Sequence, residues 1–239
     1  AQRAIFDPEF DAKKVNRADG VDLLLASAVN FYAPDITQAE AEAFYAAKVD
    51  ADPDRPVSHG LNSRLSRDEN GAIYEEVFSA RGRYANSIKE IIGHLEKAKE
   101  VAENDDQAAA LTLLIEYYET GDLTKWDDYN IAWVKTTGGD VDYINGFVEV
   151  YNDPMGYRGS YETVVQVKDF DASERMAVVA DNVQWFEDHS PIMDDHKKKN
   201  VVGVSYKIVT VAGEAGDATP ATPIGVNLPN ANWIRVEHG

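Results

Sequence analysis

The chain changes its hydrophobic periodicity near Gly138 and Gly139, and this change most strongly limits the folds available to it. Apolar residues recur at helical spacing over 83–103 and again over 108–118, where Gly121 ends the pattern. The segment "DLTKWDDYNIAWVK" then predicts a third, shorter helix. After the two glycines the chain is rich in Val, Tyr and Phe and is interrupted by turn residues, which is typical of strands. A block of helices followed by a block of strands predicts an α+β fold.

Cap and turn signals locate the other elements. Thr37, followed three residues later by Glu40, matches a capping box that begins a helix within 35–49. The pair Asn70-Gly71 lies between two short alternating runs and predicts a hairpin over 61–78. The remaining predicted elements are strands at 142–151, 160–168 and 201–211, the last of them buried, and a helix that Asp171 or Ser173 caps and that ends near His189.

These elements predict a specific architecture. Buried β-branched strands need a partner layer, so we expect the hairpin and the later strands to form one mostly antiparallel, curved sheet or small β-barrel. Helices near 83–135 and 172–187 would pack against it. By composition the chain divides into a mainly helical segment at 1–60, a hairpin with helices at 61–137, and a β-rich core with one helix at 138–239.

Composition excludes several functional classes. The net charge of -19 and the pI near 4.5 oppose binding to a phosphate backbone, so nucleic acid is not an expected partner. No apolar run approaches the roughly 18 to 20 residues of a membrane span, so no membrane partner is expected. The chain has no cysteine, which excludes disulfides and thiolate chemistry. No GxSxG, P-loop or dinucleotide-binding glycine pattern is present.

The histidines do not predict a metal site within this chain. They show no HExxH, HxH or other close ligand spacing. His189 and His196 lie among acidic residues that could bind a cation, but Pro191 and three nearby lysines favour a solvated loop. We therefore expect neither metal ligands nor catalytic residues here. The five histidines are His59, His94, His189, His196 and His238.

Paired carboxylates are a possible sign of acid–base chemistry. Asp142 and Glu149 lie in one predicted strand, with Glu162 in the next. Side chains alternate along a strand with a period of two, so this spacing places Asp142 and Glu149 on opposite faces. They are therefore weak candidates for an acid–base pair. The alternative is that they are strand-edge charges that discourage association between sheets.

A pair of asparagines near the end of the chain is a better candidate for binding. Asn227 and Asn230 flank Pro229, which fixes its own backbone angle and restrains Leu228 to an extended form. The two amides are then held at a nearly constant separation and could bind a polar ligand group. Alternatively, they satisfy nearby backbone groups in a turn, as asparagines often do.

Three long segments resemble the dipeptidyl-peptidase III family in its bacterial form: "DYINGFVEVYNDPMGYRGSYETVV", "VQWFEDHSP" and "PATPIGVNLPNANWIR". "TQAEAEAFY", "GLNSRL" and "IEYYETGDL" are similar too, so the resemblance covers nearly the whole chain. It implies a two-lobed zinc exopeptidase that removes dipeptides from the amino end of short peptides. The HExxGH-type helix that holds the zinc in this family does not occur in the sequence.

The resemblance therefore implies that residues 1–239 are a single substrate-binding portion of the peptidase, cut before the zinc helix and inactive alone. Zinc would be bound outside this chain, and the partners would be short peptides and the missing zinc-bearing lobe. A non-catalytic peptide-binding or interaction module of the same fold is the alternative. The resemblance favours a cytoplasmic location and leaves a periplasmic one open.

The resemblance also implies which residues bind the substrate. In the family, the asparagines of a "G-[IV]-N-[LI]-P-N" stretch hold the amino end of the peptide, and "GVNLPN" matches that pattern completely. An acidic residue before "GFxExY" pairs with the terminal ammonium, and a family tyrosine lies in the same strand. The expected substrate-binding residues are Asn227, Asn230, Asp142, Tyr143, Gly225 and Glu149.

Overall fold

The computed structural model describes residues 2, 6, 14–201, 207–219, 223 and 225–238. Helices and antiparallel sheets are both present, which confirms the predicted α+β class. In chain order the elements are α1 (Gln38–Ala46), β1 (Ser63–Arg67), β2 (Ile73–Val77), α2 (Ala85–Glu100), α3 (Asp105–Thr120), α4 (Leu123–Val134), β3 (Val141–Glu149), β4 (Ser160–Lys168), α5 (Phe170–Asp181), α6 (Val183–Asp188), a 3-10 helix (Asp194–His196), β5 (Val209–Gly216) and α7 (Asn232–Glu237).

Local signals placed the first helix and the hairpin correctly. The Thr37 hydroxyl accepts a hydrogen bond from the Glu40 amide at 3.3 Å, and the Glu40 carboxylate accepts one from the Thr37 amide at 3.0 Å. This capping box begins α1 as predicted. Gly71 has the positive φ of 87° that the turn between β1 and β2 requires. The Asp68 carboxylate fixes that turn by accepting from two backbone amides.

The predicted helical layer is also present. Helices α2, α3 and α4 pack against one another in chain order. Asn104 caps α3 by accepting from the Gln107 amide at 2.9 Å, and Gly121 ends it in the left-handed conformation at φ 73°. Leu111, Leu114 and Ile115 are buried on the face of α3 that their spacing indicated.

The prediction of one continuous sheet was wrong. Strands β1 and β2 form one antiparallel sheet, and β3, β4 and β5 form a second in that order. Leu65 of β1 exchanges backbone hydrogen bonds with Phe31 and Ala33. Residues 31–33 therefore occupy the outer edge of the hairpin. The two sheets lie close together, because the ring of Phe78, directly after β2, is 5.0 Å from the ring of Phe147 in β3. No closed barrel occurs within the described ranges.

The last strand differs from its prediction. β5 begins at Val209 and its residues are partly or fully exposed, whereas a buried strand was expected at 201–211. Residues 202–206 lie outside the described part of the chain. β5 lies at an edge of its antiparallel sheet, and such a strand can be exposed to solvent.

The helix after β4 also begins elsewhere than predicted. Its cap is Asp169, whose carboxylate accepts from the Ala172 amide at 2.8 Å, and not Asp171 or Ser173. The chain passes from β4 into α5 with only this residue between them, so the first available cap is used. The predicted single helix is also divided at Asn182 into α5 and α6.

Two hydrophobic cores support the fold. The larger joins α2, α3 and α4 to β3 and β4, and the smaller joins residues 24–45 to the hairpin. Trp126 of the first core and Tyr45 of the second both reach the cavity described below. Among the described helices, none has the length and apolar character needed to cross a membrane.

Candidate functional site

A cavity of about 870 Å³ lies where the two cores approach each other. Its walls come from α1, the loop before β1, helix α4, strand β3 with the turn that follows, and the segment before α7. The side chains are mostly aromatic, with carboxylates and amides among them. The lining includes Tyr45, His59, Trp126, Asp127, Asn130, Trp133, Tyr143, Glu149, Tyr151, Tyr157 and Asn230.

Helix α4 forms one wall. Trp126, Asn130 and Trp133 lie one turn apart along the helix and all face the cavity. Trp126 is held by the rings of Tyr117 and Tyr129, at 5.0 and 5.2 Å. The Asn130 amide donates to the Trp126 carbonyl at 2.9 Å. The wall is therefore rigid, because its largest side chain is packed on two sides.

A β-bulge determines the direction of Glu149. Phe147 pairs with Tyr161 and Glu149 with Ser160, so Val148 is an extra residue in β3. In a regular strand, residue 148 would point to one face of the sheet and residue 149 to the other. Because of the extra residue, Glu149 takes the face that residue 148 would have in a regular strand. Our expectation that Asp142 and Glu149 lie on opposite faces assumed a regular strand, which this bulge interrupts.

Glu149 and Asn230 meet at the cavity. The Asn230 side-chain amide donates to a Glu149 carboxylate oxygen at 3.2 Å. Leu228 packs against the larger core, and the buried Pro229 follows a cis peptide bond. The segment that carries Asn230 is thus anchored by its apolar neighbours. Tyr151, whose side chain is exposed, lines the same cavity next to Glu149.

Of the other expected binding residues, Tyr143 lines the cavity, whereas Asp142, Gly225 and Asn227 do not. The Tyr143 hydroxyl is buried next to that of Tyr129. Asn227 and Gly225 are exposed. The Asp142 carboxylate, also outside the lining, accepts from the Trp133 indole at 3.1 Å and from the Tyr143 amide at 2.7 Å. Burial raises its pKa.

Two carboxyl groups in or beside the cavity have raised pKa values. Burial, with the charges of Asp128, Asp122 and Asp50, raises the pKa of Asp127 to about 7. Burial, with the charges of Glu149 and Asp217, raises the pKa of Glu162 on β4 to about 7 as well. Within the described ranges, no hydrogen bond or ion pair reaches the Asp127 carboxylate. Such a site favours a cationic ligand group.

The sequence reasoning missed Asp127. A signal was present, because Asp127 and Asn130 interrupt an apolar helical stripe that contains Trp126, Tyr129 and Trp133. A polar residue within a buried stripe either has a partner or serves a function. Only the fold shows that this stripe borders a cavity and not a closed core.

We expect Asp127→Asn to stabilise the protein at high pH. The folded pKa of about 7 exceeds the ordinary value of 3.8, so the folded state holds a proton that the unfolded state releases, and stability falls between pH 4 and 7. Asparagine does not ionise, so the variant does not lose this stability as the pH rises. The expected gain at pH 8 is about 1–3 kcal/mol, less than the full shift because solvent screens the carboxylate.

Urea denaturation at pH 5 and pH 8 measures this effect. The exposed Glu119→Gln on α3 is the control and should change stability by less than about 0.5 kcal/mol at either pH. Equal effects of Asp127→Asn at both pH values would contradict a raised pKa.

The side chains that the structure describes do not form a zinc site. No group of three or more His, Cys, Asp or Glu residues within the described ranges could hold a metal. His59, which lines the cavity, contacts one carboxylate, that of Asp50, at 2.8 Å. Two ligands fall short of the three or four that zinc sites in proteins use.

Comparison with known proteins identifies the family. Residues 22–239 match the profile of Peptidase family M49. The chain belongs to peptidase family M49. It is 28% identical over 159 residues to dipeptidyl peptidase 3 of Nematostella vectensis and to that of Homo sapiens, in each case over 66% of this chain and 21% of the relative. The M49 chain thus spans about a fifth of the length of these relatives.

The fold of the M49 chain agrees with this assignment. A solved structure of DPP III from Caldithrix abyssi superposes with a TM-score of 0.71 over 96% of this chain and 43% of that one, at 22% identity. At that identity the match shows a shared fold. The family profile and the curated relatives confirm the resemblance found in the sequence.

Proposed function

We propose that this chain binds the free amino terminus of a short peptide, with Glu149 as the partner of the terminal ammonium. The observation that carries the proposal is the contact between Glu149 and Asn230 at the cavity wall. One Glu149 oxygen accepts from Asn230, and a carboxylate has enough lone pairs to accept from an ammonium as well. The Asn230 carbonyl oxygen offers a further acceptor.

Electrostatics supports Glu149 over Asp142 for this role. The raised pKa of Glu162 reflects burial and repulsion from Glu149 and Asp217, so a cation bound at Glu149 would relieve that repulsion. The Asp142 carboxylate is outside the cavity lining and already accepts two hydrogen bonds, from the Trp133 indole and the Tyr143 amide. We also propose that Asn227 and Gly225 contact the atoms of the peptide that extend beyond the cavity.

For the whole protein, we propose a zinc-dependent dipeptidyl peptidase. The family assignment supports peptidase activity, and the donor set described above supports zinc ligands outside this chain. Zinc held on a second lobe supplies Lewis-acid activation of water. The contribution of this chain is to bind and orient the peptide, and alone it is expected to hydrolyse nothing.

A comparison of free and N-acetylated tetra-alanine tests the proposal. Acetylation removes the ammonium charge. In the wild-type chain, acetylation should weaken binding by about 1–3 kcal/mol, the usual cost of losing a charged partner. In Glu149→Gln it should cost almost nothing further, because the counter-charge is already gone. Two-dimensional NMR titration measures the four affinities even when they are millimolar.

The matched control is Asp142→Asn in the same strand. It should keep the full acetylation effect of the wild-type chain. If acetylation instead costs the same in Glu149→Gln as in the wild type and loses its effect in Asp142→Asn, Asp142 is the counter-charge. Equal affinities for both peptides in the wild type would refute binding of the amino terminus.

A further inference from the structure

Arg158 is the largest fully buried side chain among the described residues, with 0% exposure. Its guanidinium lies over the rings of Tyr32 and Tyr45, at 4.3 and 4.9 Å from their centroids. It also donates to both phenol oxygens. A buried arginine needs such compensation, because removing a charge from water costs several kcal/mol unless partners replace the water.

One branch of this network fixes the turn before β4. The Tyr32 hydroxyl donates to the Asp153 carboxylate at 2.9 Å. Asp153, itself fully buried, accepts from the backbone amides of Met155, Tyr157 and Arg158 at 2.9 to 3.1 Å. The branch therefore joins the N-terminal segment to the turn that carries Tyr157.

The second branch fixes a wall of the cavity. The Tyr45 hydroxyl donates to Glu75 at 2.7 Å, and Glu75 also accepts from Lys48 at 2.6 Å. The Tyr45 ring stacks on Tyr157 with centroids 4.6 Å apart and planes 22° apart. Both rings line the cavity. Burial raises the pKa of the Tyr32 and Tyr45 phenols, so each keeps the proton that it donates to a carboxylate.

We propose that Arg158 is a positioning residue for peptide binding. It holds Tyr45 and Tyr157 stacked in the cavity wall. It therefore couples the packing of residues 24–45 against the rest of the fold to the binding of a peptide in the cavity. The inference rests on the proposed function, since it assumes that the cavity binds the peptide. α1 carries Tyr45, and the smaller core with this network attaches α1 to the hairpin and to the turn before β4. A ligand that contacts the Tyr45–Tyr157 wall therefore also stabilises the packing of residues 24–45.

The ligand-free chain tests positioning directly. The wild type should show nuclear Overhauser effects between the Tyr45 and Tyr157 rings, and Arg158→Met should lose them. Arg67→Met is the matched control, because Arg67 also ties the hairpin to α1, through Glu40 at 2.9 Å, but lies outside the network. It should keep the ring contacts. If Arg158→Met does not fold, Tyr45→Phe removes the hydroxyl anchor without removing the ring and should weaken the same contacts.

The peptide arm tests coupling. Tetra-alanine should bind Arg158→Met about 5-fold or more weakly than the wild type, with little change in Arg67→Met. In the wild type, the peptide should slow hydrogen exchange of the α1 amides. Preserved ring contacts and unchanged affinity in folded Arg158→Met would overturn the inference. A wild type that binds no peptide overturns the proposed function and the coupling, whereas the ring contacts report positioning separately.

Discussion

Arg158→Met is expected to lower the free energy of unfolding by about 3–5 kcal/mol, because it removes a fully buried guanidinium and leaves its hydrogen-bond partners uncompensated. Tyr32 and Tyr45 would lose their shared donor, and the buried Asp153 carboxylate would lose the nearby positive charge. Urea denaturation followed by circular dichroism measures the change. This is a large share of the stability of a typical domain.

Lys168→Met is the control for this prediction. Lys168 forms an ion pair with Asp140 at 3.3 Å, and both side chains are partly exposed. Its loss should cost less than about 1 kcal/mol, since solvent screens exposed pairs. Similar costs for the two substitutions would show that burial of Arg158 does not determine its contribution.

Gly159→Ala is expected to destabilise the protein by about 1–3 kcal/mol or more, because no space exists for a methyl group. A Cβ at this position would lie 2.7 to 2.9 Å from backbone atoms of Phe147 and Val148, which form the bulge in β3. The Gly159 amide also donates to the Leu61 carbonyl at 2.8 Å and so joins the segments that lead into β4 and β1. The backbone of the bulge, which sets the direction of Glu149, must therefore shift to make room for the methyl group.

The substitution should consequently weaken tetra-alanine binding as well as stability. Thermal unfolding and the same NMR titration measure the two effects. Gly213→Ala in β5 is the control, because a Cβ there meets nothing within 4 Å. It should leave affinity unchanged and alter stability by less than about 1 kcal/mol. A neutral Gly159→Ala would contradict the close approach of the two segments.

The sequence by itself determined the elements whose boundaries depend on neighbouring residues. The capping box of Thr37 and Glu40, the Asn70-Gly71 turn and the Gly121 helix end all act within one or two helical turns, so their signals are readable without the fold. The resemblance carried by "GVNLPN" and its companion segments added the family, because long irregular matches are specific.

Only the tertiary structure decided where the strands pair and which polar groups meet. The edge of β1 is occupied by residues 31–33, far from any local signal, and this divides the expected single sheet into two. One extra residue in β3 redirects Glu149 toward Asn230, 81 positions later in the chain. Pairing and bulges depend on competition among distant segments, which no local pattern records.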